Sequence, residues 1–267
     1  MYQFRRCSKE PKLNLNNGGI TVNVLTIVVP AYNEESRIAS TLRHLTSNFD
    51  GAQVIVVCDG DDKTAEVVKA FNGVEVYHFT QRLGKGGAIM EGIRRAKGDL
   101  VAFVDADLPV SVEEMWRVIR MAKDYDLFLT ARLLDGMPPL RMLLHRIYII
   151  LVKLMFWRMR DFADFQAGFK VMRRERVAQM MEELIINDFV FDVNLIYAFA
   201  RRGFRIGQTF VRWRHLEEGS KVSRNTLRIA LIMFLSLVKL RIYYSRLRPT
   251  LSWRVVEALQ RFLLRRL

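Results

Sequence analysis

Apolar and polar positions in the first part of the chain follow a repeating order. Four short apolar runs, VLTIVVP (24–30), QVIVV (53–57), VEVYHF (74–79) and LVAFVD (100–105), read as buried β-strands. Between them lie amphipathic stretches that predict helices from Asn33-Glu34-Glu35 through Leu45, over 63–71 and over about 85–97. Strands alternating with helices of this length predict an α/β fold, a mostly parallel Rossmann-like sheet flanked by helices. Beyond residue 110 the pattern continues with a helix, SVEEMWRVIRMA, with Ser111 as its N-cap and Glu114 in the capping-box position. A strand over 127–132, a long apolar and basic stretch over 140–160, a strand over 167–172, a helix over 188–201 and a strand over 204–213 complete this part.

In open parallel sheets, ligands bind beyond the carboxyl ends of the strands. The unusual polar residues fall there: Asn33 and Glu34 after the first strand, Asp59 after the second, Asp105 and Asp107 after the fourth. In AFVDADLP (102–109) the two aspartates are two residues apart, so in extended chain they point to one side and repel. A hard divalent cation, Mg²⁺ or Mn²⁺, is the expected neutraliser, because such ions take carboxylate oxygens together with substrate phosphates. The glycine-rich TQRLGKGGAIMEGI (80–93) precedes a helix, so its N–H groups and Lys85 are suited to phosphate. Its spacing is neither that of a P-loop nor that of a dinucleotide fingerprint.

Charge narrows the partners. The 267 residues carry a formal charge of +14, which calls for an anionic partner such as nucleic acid, anionic lipid or a phosphorylated substrate. Nine basic residues and one acid fall in residues 226–267. The ten-residue run 229–238 is too short to span a bilayer, which takes about 20 residues. Flanked by Arg228, Lys239 and Arg241, it reads as an interfacial helix, and SWRVVEALQRFLLRRL (252–267) reads as a second. Arg146, Lys153 and Arg160 recur every seven residues, and so are expected on one helix face beside apolar surface, suited to a lipid phosphate. The competing expectation is that these helices cover the sheet or pair in a homo-oligomer. A nucleic-acid partner is disfavoured, since clustered aspartates at the strand ends would repel phosphate and no nucleic-acid module appears. Two cysteines, Cys7 and Cys58, make no disulfide or zinc framework, and the N-terminal stretch has no apolar core of a signal peptide. The expected organisation is a basic, polar tail (1–22), a catalytic domain (23–225) and basic membrane-interface helices (226–267), on the cytoplasmic face of a membrane without crossing it.

The segments TIVVPAYNEE, VVCDG, RLGKGGAI, FVDAD, DFQAGFK, FDVNLI and W…EEGSK occur in the order seen in family 2 glycosyltransferases with the GT-A fold. Over residues 24–222 the chain resembles the polyprenyl-phosphate sugar synthases, and GKGGA, DFQAGFK, FDV and W…GSK look most like the dolichyl-phosphate β-glucosyltransferases. The resemblance implies inverting transfer of a hexose from a nucleotide sugar, UDP-glucose or GDP-mannose, to a polyprenyl (dolichyl) phosphate. It implies that Pro30, Tyr32 and Glu34 line the base and ribose, that Asp59 contacts the base, and that Lys85 borders the nucleotide. Asp105 and Asp107 become the D-x-D metal site, and Asp164 and Gln166 face sugar and acceptor. Arg132 and Arg146 match acceptor-phosphate arginines, and Ser220 and Lys221 belong to a loop closing over the donor pyrophosphate. The chain departs from the family pattern at Cys58, Asp61 and Asn194.

A phosphate acceptor is already ionised at neutral pH and needs positioning, whereas a hydroxyl acceptor needs a base. Asp164 and Asp192 are therefore expected to orient substrate, with proton removal left open for a soluble or protein hydroxyl acceptor. A non-catalytic basic protein that binds membrane or nucleic acid is the remaining alternative.

Overall fold

The computed structural model describes residues 25–133, 139–213 and 226–245. A seven-stranded sheet runs through its centre in the order β3-β2-β1-β4-β6-β5-β7. The first four strands are β1 (Leu25–Ala31), β2 (Gln53–Cys58), β3 (Val74–His78) and β4 (Leu100–Val104), all in parallel pairing. The other three are β5 (Leu127–Leu133), β6 (Phe169–Arg173) and β7 (Ile206–Arg212). β6 is antiparallel to both β4 and β5, while β5 and β7 are parallel, so one reversed strand lies inside a sheet otherwise of one direction. That reversal brings the start of β6 beside the end of β4, where ligands of parallel sheets bind.

Side chains alternate across the sheet. Val28 joins one core with α3 (Gly84–Arg95), α5 (Pro139–Met155), α7 (Phe191–Arg201) and α8 (Thr226–Tyr243). Its neighbours Ile27 and Val29 join the other core, with α1 (Ile38–Asn48), α2 (Thr64–Lys69) and α4 (Val112–Ala122). The fully buried runs of β1, β2 and β4 follow from helices on both faces. A short α6 (Arg174–Ala178), not expected from the sequence, continues β6. The Ser111 hydroxyl caps α4 by accepting from the Glu114 N–H at 3.3 Å. The Glu114 carboxylate, however, pairs with Arg117.

Two expectations change. α1 begins at Ile38, not at Asn33, because Asn33 is held at φ 52° with its side-chain carbonyl accepting the Asp61 N–H. α5 ends at Met155 and a 3-10 turn follows over Trp157–Met159, so Arg160 leaves the face that carries Arg146 and Lys153. α8 lies against the domain with Ile232, Ser236, Leu237 and Leu240 buried, while Leu231 and Phe234 are exposed. The tail 1–22 and the segment 252–267 lie outside the described residues.

Helix α3 approaches β1 closely at Gly92, where a Cβ would stand 2.2 Å from Val28 Cγ1. Gly92→Val should therefore cost about 1–3 kcal/mol through overpacking. Denaturant unfolding checks this: the midpoint falls with an unchanged slope, and an unchanged midpoint would show that α3 can move off the sheet freely.

Candidate active site

The chain leaves β4 at Asp105 and turns at once. Asp105 donates its N–H to the Gly168 carbonyl (3.1 Å), and the Leu108 N–H returns to the Asp105 carbonyl (3.0 Å). Leu108 sits at φ 44°, in the left-handed region that costs a non-glycine residue roughly 1–2 kcal/mol. The aspartates are thus presented by a tight turn, not by the extended chain expected from sequence. The Thr41 hydroxyl anchors the turn by donating to the Ala106 carbonyl at 2.6 Å. Gly168 leaves room for the Asp105 side chain, since a Cβ there would lie 1.7 Å from Oδ2. Burial, and next the neighbouring Asp105 charge, push the Asp107 carboxyl above its ordinary range.

From α3, Lys85 reaches across this turn. Its Nζ lies 2.9 Å from Asp105 Oδ1 and 3.6 Å from Asp192 Oδ2 on α7. The other oxygen of Asp192 accepts from Lys170 Nζ at 2.6 Å, and Lys170 also donates to the Ala167 carbonyl at 2.6 Å. Lys170, on β6, is fully buried. Burial works against the Lys85 charge, but Asp105 and Asp192 outweigh it and hold the ammonium above its usual range. For Lys170 burial dominates and lowers it, with Asp192 opposing. Four charges therefore alternate, Asp105, Lys85, Asp192, Lys170. The sequence reading missed Lys170; its signal was a lysine in the middle of the buried strand pattern Phe169-Lys170-Val171.

Asp59 is buried at the end of β2, and both its oxygens accept from Arg82 Nη1 at 2.6 Å. Oδ2 also takes the N–H groups of Leu83 and Gly84 at 2.8 Å, so Asp59 pins the glycine loop. The Arg82 guanidinium lies 3.4 Å from the centroid of the Tyr32 ring. Asp59, Arg82 and Tyr32 thus make one surface at the ends of β1 and β2, with Pro30 and Glu34 half-buried alongside in the same chain segment. Arg82 was also missed, although it stands in the motif that supplied Lys85. Burial, then Asp62 and Asp59, push the Cys58 thiol up to about 12.

The third group lies at β5. Arg132 Nε donates to Asp164 Oδ2 (2.7 Å) and Nη2 to Oδ1 (3.1 Å), while Nη2 also meets His145 Nδ1 at 3.3 Å. Asp164 is buried and also accepts from the N–H groups of Arg132 (3.2 Å) and Gln166 (2.9 Å). Burial would raise its carboxyl, but Arg132 wins and holds it at about 2. Arg146 lies on the exposed side of α5, away from the inward-facing His145, so the two arginines expected to act together are not joined by the structure. Ser220 and Lys221 lie outside the described residues.

Among the described residues no group of three or more His, Cys, Asp or Glu side chains forms a complete cage for a metal ion. Asp105 and Asp107 nonetheless fit a divalent ion that shares its coordination with phosphate and water. Two features of the turn support that fit: burial and, after it, the Asp105 charge raise the Asp107 carboxyl, and Asp105 already draws the Lys85 ammonium.

Removing one partner of a buried pair strands the other charge. Lys170→Met should cost about 3–5 kcal/mol, and Lys170→Met with Asp192→Leu should recover much of it. Thermal unfolding of both variants checks this; a single variant as stable as the wild type would show that Lys170 is not the counter-charge of Asp192.

The family model described as "Glycosyl transferase family 2" matches residues 26–180. The chain is 30% identical over 206 residues to "Glycosyltransferase AglD" of Haloferax volcanii, covering 71% of this chain and 33% of that protein, so it spans a third of that relative's length. It is 29% identical over 229 residues to "Dolichyl-phosphate beta-glucosyltransferase" of Drosophila melanogaster, covering 74% of this chain and 69% of that protein. Among solved structures it is similar to glucosyl-3-phosphoglycerate synthase from Mycobacterium tuberculosis in complex with Mn²⁺, UDP-glucose and phosphoglyceric acid. That likeness has a TM-score of 0.63 and 19% identity, over 82% of this chain and 79% of the other. The turn of aspartates beyond β4 and the reversed β6 beneath it thus sit in a known frame: the chain belongs to glycosyl transferase family 2 and is a glycosyltransferase with the GT-A fold.

Proposed function

We propose that this glycosyltransferase moves a hexose from a nucleotide sugar to a phosphate-bearing acceptor, with a divalent cation held by Asp105 and Asp107. The observation that carries the reading is the charge arrangement at the strand ends, two aspartates with Lys85 reaching over the first. When bound, such an ion would act as a Lewis acid on the leaving diphosphate. Lys85, drawn from Asp105 toward an incoming anion, would add a second positive charge where negative charge develops. Tyr32, with Arg82 over its ring, offers a platform for a base, and Asp59 keeps that platform and the glycine loop together.

The acceptor has two readings. Polyprenyl phosphate is favoured by the state of the carboxylates: Arg132 holds Asp164 at about 2, so it is a poor base, and Asp192 is already paired with Lys170. An ionised phosphate needs none. The names of the dolichyl-phosphate relatives agree with it. A soluble acceptor is favoured by the solved neighbours, whose bound phosphoglyceric acid is soluble, and these back that alternative more directly than the lipid. Extraction of labelled product separates the two, into an organic phase for the lipid and into water for the soluble acceptor.

A peripheral seat on an anionic membrane surface accompanies the lipid reading. No described helix is long and apolar enough to cross a membrane. α5 instead exposes Leu143, Ile147, Ile150 and Leu154 at alternating spacings of four and three, continued by Trp157, which is 70% exposed. Arg146 flanks this stripe, and Arg160 stacks 4.4 Å from Trp157. Apolar side chains bordered by arginine suit the headgroup boundary.

Chelation with EDTA should abolish turnover, Mg²⁺ or Mn²⁺ should restore it, and Asp107→Ala should stay folded and inactive. Full activity in chelator would refute the cation site. Ile147→Asp with Leu154→Asp should release the protein from phosphatidylserine vesicles in a sedimentation assay at low salt. Unchanged sedimentation would move the reading to a soluble acceptor.

A further inference from the structure

The first turns of α3 and α7 share one seat, the chain over 186–188. On one side the Gly86 N–H donates to the Asn187 carbonyl at 2.9 Å, which satisfies one of the N–H groups that a helix start leaves open. The approach is close, since a Cβ on Gly86 would stand 2.6 Å from the Ile186 carbonyl oxygen. Lys85 is the residue before Gly86, so its backbone follows wherever Asn187 stands. Asp188 comes next and starts α7: its Oδ1 accepts the Val190 N–H at 2.8 Å, and its carbonyl accepts the Phe191 N–H at 3.1 Å. Asp192, 3.6 Å from the Lys85 ammonium, follows Phe191 directly. Asp188 thus stands between the backbone that carries Lys85 and the backbone that carries one of its two carboxylate partners.

Helix α8 reaches the same chain from the other side. Ser236 is fully buried there, and its hydroxyl donates to Asp188 Oδ2. The other buried residues described on α8, Ile232, Leu237 and Leu240, are apolar. Just past the end of the helix, the Tyr244 hydroxyl donates to Glu183 Oε2 at 3.3 Å. The two contacts differ in what lies behind them. Glu183 pairs with Arg202 and is four residues from Asn187, whereas Asp188 adjoins it.

We propose that Ser236 is a positioning residue for Lys85. By holding Asp188 it fixes Asn187 and the start of α7 together, and so keeps the ammonium on Asp105. This deepens the functional reading and rests on it for what Lys85 does toward a bound diphosphate. A small displacement of such a group is enough to slow a reaction strongly, even when its origin is far from the reacting atoms. The direction of the effect on a cation is the distinguishing sign. Asp105 released from Lys85 is freer to take a divalent ion, whereas a general loosening of the fold would weaken the site.

The test is Ser236→Ala in the full chain, a change that favours the helix and removes only the hydroxyl. With UDP-glucose and GDP-mannose as donors, kcat/KM should fall about tenfold. Mn²⁺ alone, followed by electron paramagnetic resonance, should bind about threefold more tightly, as expected when a partly exposed ion pair is lost. In the Lys85→Met background the same substitution should change neither quantity by more than about twofold. Tyr244→Phe serves as the control, because it removes a hydrogen bond between the same helix end and the same chain; its melting temperature should fall while Mn²⁺ affinity and kcat/KM stay near wild type. Unchanged or weaker Mn²⁺ binding in Ser236→Ala, an equal effect in the Lys85→Met background, or the same response in Tyr244→Phe overturns the proposal. A wild-type protein that binds neither Mn²⁺ nor UDP or GDP overturns the functional reading with it, whereas wild-type binding untouched by Ser236→Ala overturns this proposal alone.

Discussion

Asp105, Lys85, Asp192 and Lys170 hold one another in a line of alternating charge, and each is placed by a different element: the end of β4, the start of α3, the first turn of α7 and the middle of β6. Taking Lys170 and Asp192 out of water is costly, and their mutual contact, together with the hydrogen bond from Lys170 to the Ala167 carbonyl, offsets it only in this geometry. The sheet reversal at β6 is what brings Lys170 under the site. The same strand start supplies Gly168, whose missing side chain is the space that Asp105 occupies.

Lys85 can reach this line because its loop approaches a neighbour closely. Gly84, at φ 74°, would place a Cβ 2.4 Å from the Asn187 carbonyl, and the Gly86 N–H donates to that carbonyl at 2.9 Å. Asn187 is fixed in turn. The Asn194 side chain accepts from Ile186 and donates to the Glu183 carbonyl, and Asp188 accepts from Ser236 of α8. Asn194, which departs from the family pattern, therefore has a structural task in this chain. α8 is tied by the same contact into the support of Lys85.

Much of this frame was legible in the sequence, for a physical reason. Strands buried on both faces leave continuous apolar runs, and β1 to β4 could be placed within a residue or two. The aspartates beyond β4 and the glycine loop stand out because polar residues interrupt those runs at one end of the sheet. What was hidden depends on contacts between distant segments. Arg82 and Asp59 are 23 residues apart, Lys170 and Asp192 are 22, and no local pattern announces either pair. The start of α1 was misread because the Asn33 side chain binds the backbone after β2, which local propensity does not contain.

The central claim is that Lys85 is the resident counter-charge of Asp105 and yields that place when a nucleotide and a cation arrive together. Titration of Mn²⁺ into the protein, followed by electron paramagnetic resonance of the free ion with and without UDP or GDP, tests it directly. The account predicts weak Mn²⁺ binding to the protein alone, tightening at least tenfold with a nucleoside diphosphate, and tighter binding of Mn²⁺ alone in Lys85→Met. Equal affinity in the presence and absence of nucleotide, or no gain in Lys85→Met, would contradict it.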